Sequence, residues 1–376
     1  MLAQPPIWFI AIAFVCAIGP LVFFHELGHY WVARWFGIGA SQFSIGFGRE
    51  LTGWTDKRGT RWKIGWMPLG GYVRFIGDMN AASQADANAD LSSEEQAVAF
   101  HNRPWWQRFL VVLAGPVANF VLAIAIFATF FASYGFPNTP PVAASIAPGS
   151  AAEAAQLHVG DRIVSVAGQA TRRFEDIQRI VSIRPGEQID LMVERNQAVR
   201  TVPVRLGSVE QVDEFGQKYR IGQLGIGVPQ REFEKISVGA AIPAAAGYAF
   251  DLTRSMVDGL VQILTGQRST KDLGGPLKMA QIAGQQLSLG LFEFVQLVAL
   301  FSINLGFINL LPIPTLDGGH LVFYAAEAVR RKPVSLRAMD WAFRGGLALL
   351  LALLVFVTLN DLASFGLFEG LGRLIG

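Results

Sequence analysis

The sequence predicts a polytopic α-helical membrane protein of about four transmembrane helices, with a membrane-associated β-hairpin on the cytoplasmic side and one α+β domain outside. Three observations point to this class. Of 376 residues, 52% are hydrophobic and only 16% are charged, with a mean hydropathy of +0.37, a balance that requires lipid-facing surface. Uncharged apolar runs long enough to span a bilayer recur along the chain, the first at residues 7–24. Between the second and third of them the composition shifts to regular charges and short apolar strands. A net charge of +2, with no basic stripe interleaved with aromatics, gives no reason to expect nucleic acid as a partner. The single cysteine, Cys16, lies inside the first apolar run, so a disulfide framework and a Cys-built metal site are both excluded.

Residues 1–36 hold the first predicted span, a helix over residues 7–31. It ends in Phe24-His25-Glu26-Leu27-Gly28-His29, which puts two imidazoles and a carboxylate where idle polar groups are costly. At i, i+4 on a helix, His25 and His29 share one face about one turn apart and can hold a single Zn²⁺. Glu26, one residue round from His25, sits beside the open position of such a metal, placed to take a proton from water and pass it to a leaving amine. Counted from Ile7, His25 is roughly 27 Å along a helix rising 1.5 Å per residue, near the far face of the membrane. The segment lacks the basic start of a cleavable signal peptide, and cleavage would discard the His pair, so it is read as retained.

Residues 37–108 carry Arg49, Lys57, Arg58, Arg61, Lys63, Arg74, Arg103 and Arg108, which makes this loop cytoplasmic and the N-terminus external. Within it, Asp56-Lys57-Arg58-Gly59 reads as a turn between strands at 49–55 and 60–66, with 72–76 as a further strand. Two roles fit: a membrane-resting loop anchored by Trp54, Trp62 and Trp66, or an edge strand that pairs with an extended substrate. Residues 77–96 are acidic, rich in Ala, Ser and Asn, and read as a flexible connector.

The second span, residues 109–135, begins near Ala114-Gly115-Pro116-Val117-Ala118-Asn119. An amide in hydrocarbon needs a partner, so Asn119 is expected to face the bundle interior, with plain helix packing as the other reading of this Gly/Asn face. Residues 136–230 form the soluble domain. Its stretches Ala147-Pro148-Gly149-Ser150-Ala151-Ala152 and Leu157-His158-Val159-Gly160-Asp161-Arg162-Ile163-Val164-Ser165-Val166-Ala167-Gly168 resemble a PDZ domain of the kind attached to bacterial proteases. A helix from Phe174 and strands at 189–193 and 201–204 follow, and His158 is expected at the surface. The resemblance implies a groove that binds peptide or gates access. Residues 231–290 mix apolar and polar residues at helical spacing and are read as amphipathic helices on the outer membrane face, with one of them partly embedded as the other reading.

The third span lies in residues 291–329 and contains Asn309-Leu310-Leu311-Pro312-Ile313-Pro314-Thr315-Leu316-Asp317-Gly318-Gly319-His320. Two prolines one residue apart cannot continue a regular helix. Such freed backbone is tolerated at membrane depth only where it lines protein or water. An unpaired carboxylate there costs about 2.5–3.5 kcal/mol even on the lenient insertion scale, and a bound cation removes the difficulty. His25, His29 and Asp317 then make a three-ligand zinc set with a fourth position open, as in catalytic sites, and His320 is a rival third ligand. Residues 330–376 supply a second basic loop with Arg330, Arg331, Lys332 and Arg337, then a fourth span over 343–359.

The intramembrane His-Glu-x-x-His, the Gly-x-x-x-Asn element, the PDZ-like domain and Asn-x-x-Pro-x-Pro-x-Leu-Asp-Gly together resemble the site-2 protease family, on its branch of bacterial sigma-E regulators. The resemblance implies zinc on His25, His29 and Asp317, Glu26 as catalytic base, and substrate contacts from Asn309 and the loop of Pro312 and Pro314, with Asn119 of the second span counted among them. It implies cleavage of single-span membrane proteins such as anti-sigma factors and signal-peptide remnants, in the bacterial inner membrane with the PDZ-like domain periplasmic. The best-known member carries two tandem PDZ domains, and the stretch here accommodates one. A membrane-anchored peptidase acting on soluble peptides and a non-catalytic PDZ scaffold are the other classes the residues leave open.

Overall fold

The computed structural model describes residues 5–78, 91–212, 218–228, 232–265 and 274–364. The chain divides into two units, one made of Met1–Phe127, Ala245–Asp258 and Leu273–Gly376, the other of Ala128–Ala244 and Gly259–Asp272. The first unit begins with helix α1 (Ile7–Trp35), which ends as the chain turns through Gly37 with φ +70°. Strands β1 (Ala40–Thr55) and β2 (Arg61–Phe75) follow, hinged at Asp56-Lys57-Arg58-Gly59. Both strands fold back on themselves. Residues 40–45 of β1 pair with 71–75 on one side, and 42–45 pair with 61–64 on the other, so 71–75 lies at the sheet's edge. The turn is tied to α1: Tyr30 and Trp62 both donate to Asp56 Oδ2, at 3.3 and 3.0 Å, and Arg34 donates to Thr60 Oγ1 at 2.7 Å.

Part of the expected connector, residues 79–90, lies outside the described residues. Its end is helical instead: α2 (Ser93–Val98) is started by a capping box in which Ser92 Oγ accepts from the Glu95 amide and the Glu95 carboxylate accepts from Ser92. Helix α3 (Trp105–Tyr134) comes next. Buried side chains from Tyr30 and Ala33 of α1, Ala40 and Phe43 of β1, Val73 and Phe75 of β2, Phe100, and Val111 and Val112 of α3 form one core that seats the sheet on the helices.

The second unit holds β3 (Phe136–Asn138), α4 (Ala151–Ala154), β4 (Arg162–Val166), β5 (Gln169–Ala170), α5 (Phe174–Ser182), β6 (Gln188–Arg195), β7 (Ala198–Arg205), β8 (Gly207–Val212), β9 (Lys218–Gln223) and β10 (Glu232–Glu234). Its main sheet runs β5-β4-β6-β7, all antiparallel, and β3 pairs with β10. Alternation along β6 buries Ile189, Leu191 and Val193 against Phe174, Ile177 and Ile180 of α5. Asp161, at the mouth of β4, accepts from Nε and Nη2 of Arg195, each at 2.7 Å, and from the His158 amide at 2.8 Å. Burial alone raises the pKa of that carboxyl. Those donors outweigh burial and hold it below the usual carboxylate range. His158 itself is exposed, at the surface as its turn position suggests.

After α6 (Val238–Leu264) come α7 (Pro276–Leu289), α8 (Leu291–Leu310), α9 (Asp317–Arg330) and α10 (Leu336–Ser364). Within the stretch read as amphipathic helices, α7 lies along α1. Ala283 is fully buried with Ala13, Ala17 and Leu21, and a Cβ on Gly284 would come within 2.7 Å of Ile10. Two small residues in succession let the helices approach closely, a packing signal that an amphipathic reading overlooks. The start of α7 is capped from α10, where the fully buried Asp361 accepts from the Gly275 and Lys278 amides at 2.9 and 3.0 Å. Among the described residues four helices are long and apolar enough to cross a membrane: α1, α3, α8 and Arg337–Ala363 of α10, the last longer at both ends than the expected 343–359.

Candidate metal centre

The i, i+4 spacing sends both imidazoles from one face of α1, with their Nε2 atoms 3.3 Å apart. Asp317, the first residue of α9, brings Oδ2 to 3.1 Å from His25 Nε2 and 3.5 Å from His29 Nε2. Among the described residues this is the one set of His, Cys, Asp or Glu groups placed to share an ion. A carboxylate in the first turn of a helix also meets the positive end of the helix dipole.

The donor set fits zinc. His29 Nδ1 lies 2.9 Å from the Val111 carbonyl oxygen, which can only accept, so Nδ1 carries the proton and Nε2 presents a lone pair. Asp317 Oδ2 is buried and has no hydrogen bond, although two ring nitrogens stand close to it. Lone pairs converging in this way repel unless a cation lies among them. Ligands at 2.0–2.1 Å on a tetrahedral zinc are about 3.3–3.4 Å from one another, which the separations here bracket.

Glu26 is buried to the same extent as the two histidines, each 8% exposed. Its carboxylate is faced by the backbone N–H of Val73, on the edge segment of β2. Gly71 of that segment packs directly on α1: a Cβ there would come within 2.6 Å of Val22 Cγ1 and 3.1 Å of Glu26 Cγ. The edge strand and the candidate base therefore share one wall.

Helix α3 supplies the opposite wall by crossing α1 at small residues. A Cβ on Gly28 would sit 2.8 Å from Ala118 Cβ and inside contact of the Ala114 carbonyl, so the crossing requires glycine. One residue along, a Cβ on Gly115 would be 2.9 Å from His25 Cε1 and nearer still to His29 Nε2 and Cε1. The Gly-x-x-x-Asn element thus leaves room for the imidazoles.

Asn119 is fully buried, and its amide nitrogen lies 3.3 Å from His25 Nδ1. With no exposed surface it stands behind His25, on the ring edge away from Asp317. Its backbone carbonyl accepts from Ser302 Oγ of α8 at 2.8 Å. Asn309 is half-buried in the last turn of α8. Leu311 is extended, Pro312 is exposed and Pro314 is half-buried, where a Cβ on Gly346 of α10 would reach its Cδ at 3.1 Å. His320, the rival ligand, is buried one turn after Asp317 with its ring 4.9 Å from that of Phe343, outside the converging set.

One supporting pair escaped sequence reasoning. Arg108 of α3 donates to both carboxylate oxygens of Glu327 on α9, at 2.7 and 2.9 Å, with its guanidinium 4.9 Å over the Tyr324 ring. The pair ties α9, and hence Asp317, to α3. From sequence, Arg108 reads only as a mark of orientation.

A family model described as peptidase family M50 matches residues 13–353. A protein of Agrobacterium fabrum, provisionally named a zinc metalloprotease, is 43% identical over 362 residues, covering 94% of this chain and 95% of its own. The Metalloprotease MmpA of Caulobacter vibrioides is 37% identical over 394 residues, covering 98% of each chain. Among solved structures, the PDZ domain of the SdrC-like protein of Listeria monocytogenes aligns with 25% of this chain and 88% of its own, at 17% identity and a TM-score of 0.19.

Proposed function

From the premise that this chain belongs to peptidase family M50, the site-2 proteases, and is a membrane-embedded zinc metalloprotease, we propose that it hydrolyses peptide bonds in transmembrane segments of single-span membrane proteins. The observation that carries the reading is the place of the cluster: His25, Glu26 and His29 occupy a helix of spanning length and apolarity, and Asp317 joins them from nearly three hundred residues further on. A hydrolytic centre for soluble peptides has no need of such a setting.

In this reading His25, His29 and Asp317 hold the zinc. Bound there, zinc supplies a Lewis acid for the scissile carbonyl and eases deprotonation of water. Glu26 takes the proton of the attacking water and delivers it to the departing amine. A helical substrate presents its amides bonded to itself, so it must be extended before attack. The outer edge of β2 at 71–75 suits that task, because its backbone borders Glu26 and an added strand would lay a peptide across the site. Asn309, Pro312 and Pro314 border the entry from the other side. The exposed Trp54 and Trp66 of the hairpin rest on lipid. Anti-sigma factors and signal-peptide remnants are the proposed substrate class, the inner membrane the proposed location, and the domain built on β4–β7 a periplasmic PDZ-like module that binds peptide or gates access.

The test uses a tagged single-span protein reconstituted with the purified enzyme. Glu26→Gln is expected to keep its zinc and lose cleavage. Cleavage by that variant at the parental rate would remove Glu26 as the base, and cleavage of soluble peptides alone would remove the intramembrane substrate.

A further inference from the structure

Three residues of α3 at successive i, i+4 steps, Val111, Gly115 and Asn119, oppose the His pair of α1. Val111 accepts from His29 Nδ1, and Gly115 clears the space between the rings. By the same pattern the third faces His25 Nδ1. For His25 to offer a lone pair at Nε2 toward Asp317, its Nδ1 must carry the proton and needs an acceptor. Asn119 Oδ1 is buried with no hydrogen bond, while Nδ2 stands at 3.3 Å from Nδ1. The two amide ends have the same shape, and half a turn about the terminal bond exchanges them. The exchanged amide gives His25 its acceptor at no steric cost. Ser302 holds the Asn119 backbone in place, and the other close polar contacts of the His25 ring among the described residues, His29 Nε2 at 3.3 Å and Asp317 Oδ2 at 3.1 Å, meet its Nε2 and leave Nδ1 to Asn119.

We infer that Asn119 is a positioning residue for the metal centre: its amide oxygen accepts the Nδ1 proton of His25 and so fixes the tautomer and orientation in which Nε2 can bind zinc. The inference rests on His25 being a zinc ligand. It gives the asparagine of the Gly-x-x-x-Asn element a chemical role distinct from helix packing and from substrate contact.

The experiment measures zinc affinity by chelator competition for the full-length protein in detergent, with helical content recorded by circular dichroism. Asn119→Leu, which has no acceptor, is expected to bind zinc about 10–100-fold more weakly. Asn119→Asp, which keeps an acceptor, is expected to remain within a few-fold of the parent. In the parent, ¹⁵N spectra of labelled histidine in the zinc-loaded protein should show His25 protonated at Nδ1, a readout that needs no variant to fold. Parental affinity in Asn119→Leu, equal loss in Asn119→Asp, or an unprotonated His25 Nδ1 would each overturn the inference. His25→Ala separates the two claims: if it retains zinc at parental affinity, the ligand assignment fails, and if it loses zinc while Asn119→Leu does not, only the role of Asn119 fails.

Discussion

Gly115→Ala adds one methyl group where two histidines need the same space. The ideal Cβ stands 2.9 Å from His25 Cε1 and closer to His29 Nε2 and Cε1, whereas carbon atoms in contact rest about 3.5–4.0 Å apart. At least ~0.6 Å must therefore be relieved on the His25 side, and more on the His29 side. The helix cannot supply it by sliding, because Gly28 is already pressed against Ala114 and Ala118. Zinc ligands hold their distances to about 0.2 Å, so a ring displaced this far no longer coordinates. The fold should survive, since overpacking by one methyl costs roughly 1–3 kcal/mol. The expected result is a helical protein with at least about a 100-fold loss in zinc affinity, beyond the range of an outer-sphere change, read by metal content after dialysis against a zinc buffer. Gly19→Ala is the control on α1, because a Cβ there meets nothing within 4 Å. That variant should bind zinc normally and gain slightly in stability from helix propensity. Parental zinc affinity in Gly115→Ala would refute the placement of α3 against the His pair.

Asp317→Ala should lose most of its zinc, since two neutral imidazoles alone leave the divalent charge uncompensated, and metal analysis beside the parent checks this. Glu327→Ala strands the Arg108 guanidinium and should cost roughly 1–3 kcal/mol, less than a fully buried pair because both groups keep some exposure; a thermal melt reads the stability and a chelator titration reads the loosened hold on Asp317. In the β4–β7 domain, Asp161 has its pKa depressed on folding, so its contribution is fully present above the unfolded value and is lost as pH falls through the folded one. Hydrogen-exchange protection factors of the β4 and β6 amides should therefore fall from about pH 4 downward, and Asp161→Asn should remove that acid-sensitive component. An unchanged acid profile in the variant would assign the stability elsewhere.

The chemistry of the site was legible in the sequence because each of its two halves breaks a local rule. Histidines and a glutamate at the end of an uncharged span, and a carboxylate after two prolines in another, are each costly alone in lipid. A shared cation resolves both, and Asp317 standing among the Nε2 atoms is the arrangement that logic requires. Elements whose boundaries depend on local turn chemistry were also legible: the Asp56-Lys57-Arg58-Gly59 turn, the break between α8 and α9, and the strands β6 and β7. The short helix α2 carried a readable capping box, Ser92 with Glu95, that acidic composition obscured.

What the sequence withheld is how one helix meets another. His25 and His29 repeat at four residues on α1, and Val111, Gly115 and Asn119 repeat at four on α3, yet neither period says that the two faces touch. The crossing is set by Gly28 against Ala114 and Ala118, a contact of small residues that leaves no trace in hydropathy. Once it forms, the shared period places a carbonyl, a gap and an amide opposite one histidine, the space between, and the other. The sequence asks for a partner for Asn119, and the His25 ring is the one beside it. The cost of an amide in hydrocarbon is visible in one helix, whereas the imidazole that relieves it lies on another. The same reasoning explains α7, whose Ala283 and Gly284 look indifferent until Ile10 and Ala13 of α1 are brought against them. In a membrane, where lipid competes equally for apolar side chains, small residues and buried polar atoms select the partner helix, so they carry the information that joins the two halves of this site.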